Sequence, residues 1–345
     1  MTLVKTLLPV SLLCAGAVCA DTKTMQIPEG KLQDHPSLFG DITPSAGPRV
    51  IGGSGVFLTG DYIYWTARED GLEFALSGAQ IDGSLPTKAG HKYDPRFRFQ
   101  SGFKAGIGFS FGHDKWDSYI NYTWLRTQDN HKSVDPVSGA PLTNLIPVAA
   151  EHQYSHLSYA SARWNLHFNV IDASLGRNFY ISKFLSLRPF FGAKGTWQSQ
   201  SLHVKYDFTT QPDINSKNKN DFWGIGLMMG VNTAWHFGGT WSLYADGALS
   251  TLWGAFYVKR KDKNPSTGVV YYDAAERTHS IKPVVELGAG LRKEMWIYHD
   301  RFHISWQAGW EQQVWFSQNQ FDFYTSQRQG DLNIQGFSTR LRFDF

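Results

Sequence analysis

Cysteine is almost missing from this 345-residue chain: there are two, Cys14 and Cys19, both within the first 20 residues. Whatever follows is not held by disulfides, and it offers no thiol chemistry and no Cys-ligated metal. Charge of one sign is lacking as well. The 33 Lys+Arg stand against 30 Asp+Glu, a formal +3, which leaves no electrostatic argument for nucleic acid as a partner. After residue 20 there is no run of about 18 apolar residues, so no transmembrane helix is indicated. What the chain has in quantity is aromatic residues: 13 Trp, 24 Phe and 15 Tyr. Its mean hydropathy of −0.33 does not exclude a membrane location. In a membrane barrel alternate residues face lipid and lumen, so a window average registers neither.

Residues 1–20 read as a secretory signal, with Lys5 as the positive region, Leu7–Leu13 as the apolar core and Val18-Cys19-Ala20 as the cleavage site before Asp21. Residues 21–54 are rich in Pro, Gly and charge and show no periodicity; they read as an irregular periplasmic segment, lying free or tucked into the lumen. Residues 55–345 carry the repeating pattern. Its clearest stretch is Arg96–Phe111, RFRFQSGFKAGIGFSF. One face reads Phe97, Phe99, Ser101, Phe103, Ala105, Ile107, Phe109, Phe111, and the other is polar and dotted with glycine. Side chains alternate sides along a strand, and about 9–11 residues suffice to cross a bilayer at a tilt.

The same alternation recurs at 55–66, 116–124, 163–181, 185–198, 223–237, 241–257, 281–295, 302–316 and 332–345. Within 163–181 the apolar parity changes, from Trp164, Leu166, Phe168, Val170 to Ile171, Ala173, Leu175, Phe179. A one-residue bulge would reconcile the halves. Pro189 interrupts its strand, since a paired strand wants its N–H. Short connections (112–115, 182–183, 238–240, 297–300) alternate with long ones (67–94, 128–160, 209–220, 259–280, 317–331). The expected fold is therefore all-β: an antiparallel up-and-down transmembrane β-barrel of about 10–12 strands, with short periplasmic turns and long extracellular loops. A spanning sheet in lipid must close and leave no edge.

Alternation by itself does not say which face is outside. Aromatics near strand ends argue for lipid outside: Trp116, Trp124, Trp164, Trp197, Trp223, Trp235, Trp241, Trp253, Trp306 and Phe316 are the expected membrane-interface residues. The last strand ends Phe337, Leu341, Phe343, Phe345, a pattern similar to the signal read by the bacterial barrel-assembly machinery. The lumen is then expected to carry Arg96, Arg98, Lys104, Arg163, Arg188, Lys194, Lys282, Arg292, Arg301, Arg340 and Arg342. The expected acidic groups are Asp61, Asp172, Asp246, Glu286, Glu294, Glu311 and Asp344. These charges would line a water-filled path with a mild anion preference, or pair with one another inside a plugged barrel.

Residues 59–75, TGDYIYWTAREDGLEFA, resemble the opening motif of the Legionella-type major outer membrane protein family, which includes MOMP-like proteins of chlamydia-related bacteria. Residues 113–117 (HDKWD), 175–179 (LGRNF), 187–192 (LRPFFG) and 309–316 (GWEQQVWF) are similar too, in order along nearly the whole chain. The resemblance implies a pore-forming outer membrane protein, in some members also a surface antigen or adhesin. The cysteine cross-linking of some relatives does not carry over.

The expected function is a bacterial outer-membrane, porin-like channel for passive diffusion of small solutes or ions. Its partners would be outer-membrane lipid and the assembly machinery, with no cofactor and no nucleic acid; the oligomeric state stays open. The alternative is a barrel whose loops 128–160 and 259–280 bind a surface partner, and a distant third is an outer-membrane hydrolase. Asp273, Glu276 and His279 lie in one polar stretch, and no spacing singles them out as acid and base. His152 and His156 would share a helix face, but nothing around them is helical. The chain is expected not to be an enzyme.

Overall fold

The computed structural model describes residues 44–48, 50–78, 90–111, 115–128, 130–136, 141–148, 155–321 and 330–345. The signal segment and the stretch 21–43 lie outside the described residues. In chain order the strands are β1 (Val56–Glu69), β2 (Ala75–Ser77), β3 (His91–Tyr93), β4 (Phe99–Ser110), β5 (Trp116–Arg126), β6 (Asn130–Val134), β7 (Leu142–Asn144) and β8 (His156–Arg177). They continue with β9 (Phe179–Tyr180), β10 (Leu185–Phe208), β11 (Ile214–Gly238), β12 (Trp241–Lys263), β13 (Val270–Ile297), β14 (Phe302–Asn319) and β15 (Gly330–Asp344).

Ten of these form a closed antiparallel ring. β1 pairs β4, β4 pairs β5, β5 pairs β8, β8 pairs β10, and each strand from β10 to β15 pairs the next. β15 returns to β1 with Leu341 opposite Gly60, closing the ring. Four of the five short strands sit on the upper rim: β6 continues the β8 ladder above β5, and β3, β2 and β7 extend from the top of β8, while β9 pairs the periplasmic start of β10.

Two stretches expected as extracellular loops are strand. Residues 214–220 belong to β11, and residues 259–263 and 270–280 belong to β12 and β13, which meet in a tight turn at 264–269. The polar composition that suggested loops belongs to strands standing in water rather than in lipid. β8 and β10–β13 run 22 to 28 residues, against 11 to 15 for β1, β4, β5 and β15. One side of the barrel therefore rises well above the other. Among the described residues β13 pairs β14 only from Val284 to Ile297, so residues 273–283 form an edge of the described sheet, with their ladder to β12. Pro283 stands where that edge begins, a place where a missing N–H is tolerated. Pro189 is accommodated in a similar way. Pairing to β8 stops at Phe190 and resumes on β9 at Leu187, leaving Pro189 at the gap.

The expected bulge in β8 is absent: from Phe190↔Gly176 to Asp207↔Tyr159 the β8–β10 register runs without a shift. Trp164, Leu166, Phe168 and Val170 all point inward and are buried, while Ile171 points outward. Trp164 is thus not an interface aromatic but a core residue, and Arg163, expected in the lumen, is outside and exposed. The change of parity marks a change of medium. Below, lipid lies outside and water inside; above, water lies outside and a dry core inside.

The lipid belt is legible on β11, where Trp223, Ile225, Leu227, Met229, Trp235 and Phe237 all face outward and are exposed. Trp223 and Trp235 are about 40 Å apart along the strand, or about 30 Å along the barrel axis at a tilt of about 40°. That is the thickness of a bilayer's hydrocarbon core.

Candidate functional site

The inward positions of the membrane-level strands build a polar lumen. Lys194 on β10 is 1% exposed and makes two ion pairs of 2.7 Å, one to Asp172 on β8 and one to Glu286 on β13. β10 and β13 are separated by two strands, so the second pair is a chord across the barrel. Lys104 on β4 pairs with Glu311 on β14, again across two intervening strands, and its ammonium lies 4.7 Å from the centre of the Trp65 ring. Arg340 grips Asp61 through Nε at 2.9 and 2.8 Å and through Nη2 at 2.7 Å. Nearer the periplasm Arg188 donates to Asp117 through Nε at 3.0 and 2.9 Å and to Asn232 at 3.0 Å. Asn232 in turn donates to Asp246 at 2.9 Å. At the rim Asp344 takes Arg342 at 2.6 Å and His303 at 2.8 Å, and Arg342 lies 3.7 Å over the Phe57 ring. Small residues open the space these groups occupy: a Cβ on Gly108 would fall 2.0 Å from the Phe57 ring.

A cavity of about 250 Å³ runs through this network, lined among others by Lys104, Asp172, Arg188, Asp246, Glu286, Arg292, Glu294, Glu311, Arg340 and Arg342. Its periplasmic end is narrowed by residues 44–54. Tyr180 N donates to Pro44 O at 2.9 Å on one side of the mouth, and Ile51 N donates to Asp300 O at 3.0 Å on the other. Ala46 and Pro48 between them line the cavity. The described residues 44–48 and 50–54 thus form a strap over the mouth.

Above the ion pairs the interior is apolar. Trp65, Phe74, Trp164, Leu166, Phe168, Leu202, Val204, Tyr206, Leu252 and Trp315 form one cluster with Leu72, Leu142, Ile146 and Val148 from the connections after β1 and β5. Phe168 and Trp315 stand on β8 and β14, diametrically opposite in the ten-strand ring, yet their ring centroids are 5.4 Å apart. Gln318 donates to Gln198 at 3.0 Å, and Gln200 to Glu69 at 3.1 Å, likewise across the interior. The inserted segments are pinned: Tyr206 Oη donates to Phe74 O at 2.5 Å, and Arg260, held to Asp262 at 2.6 Å with both fully buried, donates to Pro147 O at 2.5 Å. The lumen is therefore closed by a septum, side chain against side chain.

Besides Arg163, three more expected lumen charges lie elsewhere. Arg96 and Arg98 precede β4 on the upper rim, and Arg301 follows the β13–β14 turn; all three are exposed. They look polar by alternation, but alternation continues past the membrane and stops reporting on the lumen. Without them the cavity carries near-balanced charge, and the expected anion preference loses its basis. Lys282 is inward but belongs to the upper level, donating to Ser317 O at 2.5 Å. Of the expected interface aromatics, Trp197, Trp223, Trp235, Trp241, Trp253, Trp306 and Phe316 point outward and are exposed, and Trp116 and Trp124 are partly exposed on the same face. Trp310, on the apolar face of the same strand, is outward and exposed as well, although it is not among the expected interface residues. Phe337, Leu341 and Phe343 line the outer face of β15. Asp273 and His279 face out while Glu276 lies on the opposite face of β13; Asp273 pairs with Lys261 at 2.9 Å and His279 stacks on Trp253. The three do not converge. His152 lies outside the described residues.

A closed ten-strand ring, greasy outside and charged within, defines an outer-membrane β-barrel protein. The family model described as Legionella pneumophila major outer membrane protein precursor matches residues 56–345, and the chain belongs to that family. Its location is the bacterial outer membrane. Among solved structures the chain is similar to the outer membrane protease OmpT from Escherichia coli, with TM-score 0.40, 10% identity and coverage of 84% of this chain and 96% of that one. It is similar also to Ail, the attachment invasion locus protein of Yersinia pestis (TM-score 0.24, 12% identity, 84% and 99% covered). A Pseudomonas aeruginosa FadL homologue is a third (TM-score 0.27, 9% identity, 84% and 90% covered). None of these likenesses bears on activity. No curated protein matches the chain.

Proposed function

We propose that the protein passes small solutes or ions passively through a narrow lumen that rests closed. One observation carries this reading: a charged cavity of about 250 Å³ at membrane depth, entered past the strap and stopped by the septum. Cross-lumen pairs such as Lys194–Glu286 supply donors and acceptors that replace a solute's hydration as it passes. Passage requires Phe168 and Trp315 to part, and separating buried aromatic side chains costs about 1.5–3 kcal/mol each. Openings are then rare and brief. The reading assigns transport and no bond chemistry, and Phe337, Leu341, Phe343 and Phe345 keep the proposed role of assembly signal.

Planar-bilayer recording tests it. The natural sequence should show infrequent, small steps, and Phe168→Ala with Trp315→Ala should raise the open fraction at least tenfold, a shift of about 1.4 kcal/mol. Silence in both, with folding checked by heat-modifiable migration, would reject the pore. The second reading would then stand: a closed scaffold that presents the β10–β13 sheet, which rises above the lipid belt, to a surface partner.

A further inference from the structure

Above the outward aromatic row of Trp197, Trp223 and Trp253, the outer face of β11 and β12 turns cationic. Lys217 lies directly opposite Lys261, and Lys219 directly opposite Lys259. The row continues sideways: His203 opposes Lys217, and Arg163 opposes His203. Like charges set opposite each other on one face of a sheet repel and destabilise it. Of the four lysines, Lys261 alone has a carboxylate within ion-pair reach among the described residues, Asp273 at 2.9 Å. Asp221, one outward step below Lys219, is exposed and joins no ion pair among the described residues. Partial desolvation, followed by the charges of Lys217, Arg163 and Lys219, holds the His203 imidazole below its ordinary value, so the patch already resists another cation. A face that accumulates repulsion in this way is built to meet an anion.

Height selects the anion. Lys219 and Lys217 stand four and six residues above Trp223 on β11, about 13 and 20 Å along the strand. At the barrel's tilt that is about 10 and 15 Å above the aromatic row, and a lysine stem can lean back toward the bilayer from there. A free polyanion would use the lysines alone. A lipid with a phosphorylated headgroup would meet the lysines with its phosphates and the apolar surface of Trp223, Ile225, Leu227 and Trp253 with its chains. We propose that Lys217, Lys219, Lys259 and Lys261 bind the phosphate groups of an anionic lipid of the outer leaflet.

The test uses the full folded chain in phosphatidylcholine nanodiscs containing a bisphosphorylated glycolipid or its dephosphorylated form, with co-retained lipid counted by native mass spectrometry. The expected preference for the phosphorylated form is roughly tenfold, weakening as salt rises. The triple variant Lys217→Gln, Lys219→Gln, Lys259→Gln should lose it, the matching Lys→Arg triple should keep it, and Lys183→Gln at the periplasmic turn should leave it unchanged. These positions are exposed, so heat-modifiable migration should be unaltered throughout. Equal retention of both lipid forms, or a preference that survives the Gln triple, would overturn the assignment. So would displacement of the lipid by inorganic phosphate at the same concentration, since that would make the patch a simple anion site.

Discussion

The lower and upper levels of this barrel share the same strands and the same inward parity, yet their interiors are opposites. Below, β10 sends Lys194 inward and Trp197 outward; a few residues higher it sends Leu202, Val204 and Tyr206 inward, and His203 and Lys205 outward. β8 does the same with Asp172 and Ile171 below, Phe168 and Arg163 above. The polypeptide geometry does not change; the solvent does. Where lipid takes the outside, charges must turn in and pair. Where water takes the outside, apolar groups turn in and pack. One chain is thus a membrane barrel and a soluble barrel joined end to end, and the joint closes the lumen.

That contrast can be attacked from either level, and the largest effect should come from the lower one. Lys194→Met strands Asp172 and Glu286 in a site where the lysine is 1% exposed. Breaking a buried pair by removing one partner costs about 3–5 kcal/mol, and two orphaned carboxylates put this variant near the upper end. The check is the urea midpoint of unfolding from lipid vesicles, and a midpoint unmoved from the natural sequence would show that the pairs hold nothing. In the upper level, Trp164→Ala removes a fully buried ring and should cost about 3–4 kcal/mol in the same assay. Trp223→Ala, on the lipid face, should cost about half as much or less; equal costs would erase the distinction between core and belt. Since no cysteine follows residue 20, single cysteines report the medium directly. Leu166→Cys should resist both aqueous and lipid-soluble thiol reagents, Ile171→Cys should react only with the lipid-soluble one, and Arg163→Cys with the aqueous one. Reaction of Leu166→Cys from lipid would restore the bulge that β8 lacks. The smallest effect is expected for Arg96→Ala, Arg98→Ala and Arg301→Ala, each within about 0.5 kcal/mol of the natural stability and without change in ion selectivity.

The membrane level was readable because its period of two is tied to a medium that does not vary over a strand's crossing. β4 and the lower parts of β11 and β14 follow the expected faces residue for residue. The upper level was misread for a physical reason. Polar residues at 214–220 and 259–280 signalled loops because alternation there is no longer greasy against wet but charged against buried. Trp164 misled because a Trp near a strand end serves an interface or a core equally well, and only the position of the bilayer edge separates the two. The charge lattice was visible as a set of inward Lys, Arg, Asp and Glu, but its chords were not. Lys194–Glu286 and Lys104–Glu311 depend on how the ring curves, which no local pattern records.

The edge stretch of β13 has a mechanical consequence. From 273 to 283 the one strand ladder among the described residues runs to β12, with the Lys282 side chain reaching Ser317 O, so the outer part of the β12–β13 hairpin projects beyond the ladder that starts at Val284. It can sway without parting a single link of the closed ring beneath it. Amide protons on the outer flank of residues 273–283 should trade with deuterium from the surrounding water long before those near Gly288–Leu291, and the barrel can lend motion to its rim while remaining rigid at its waist.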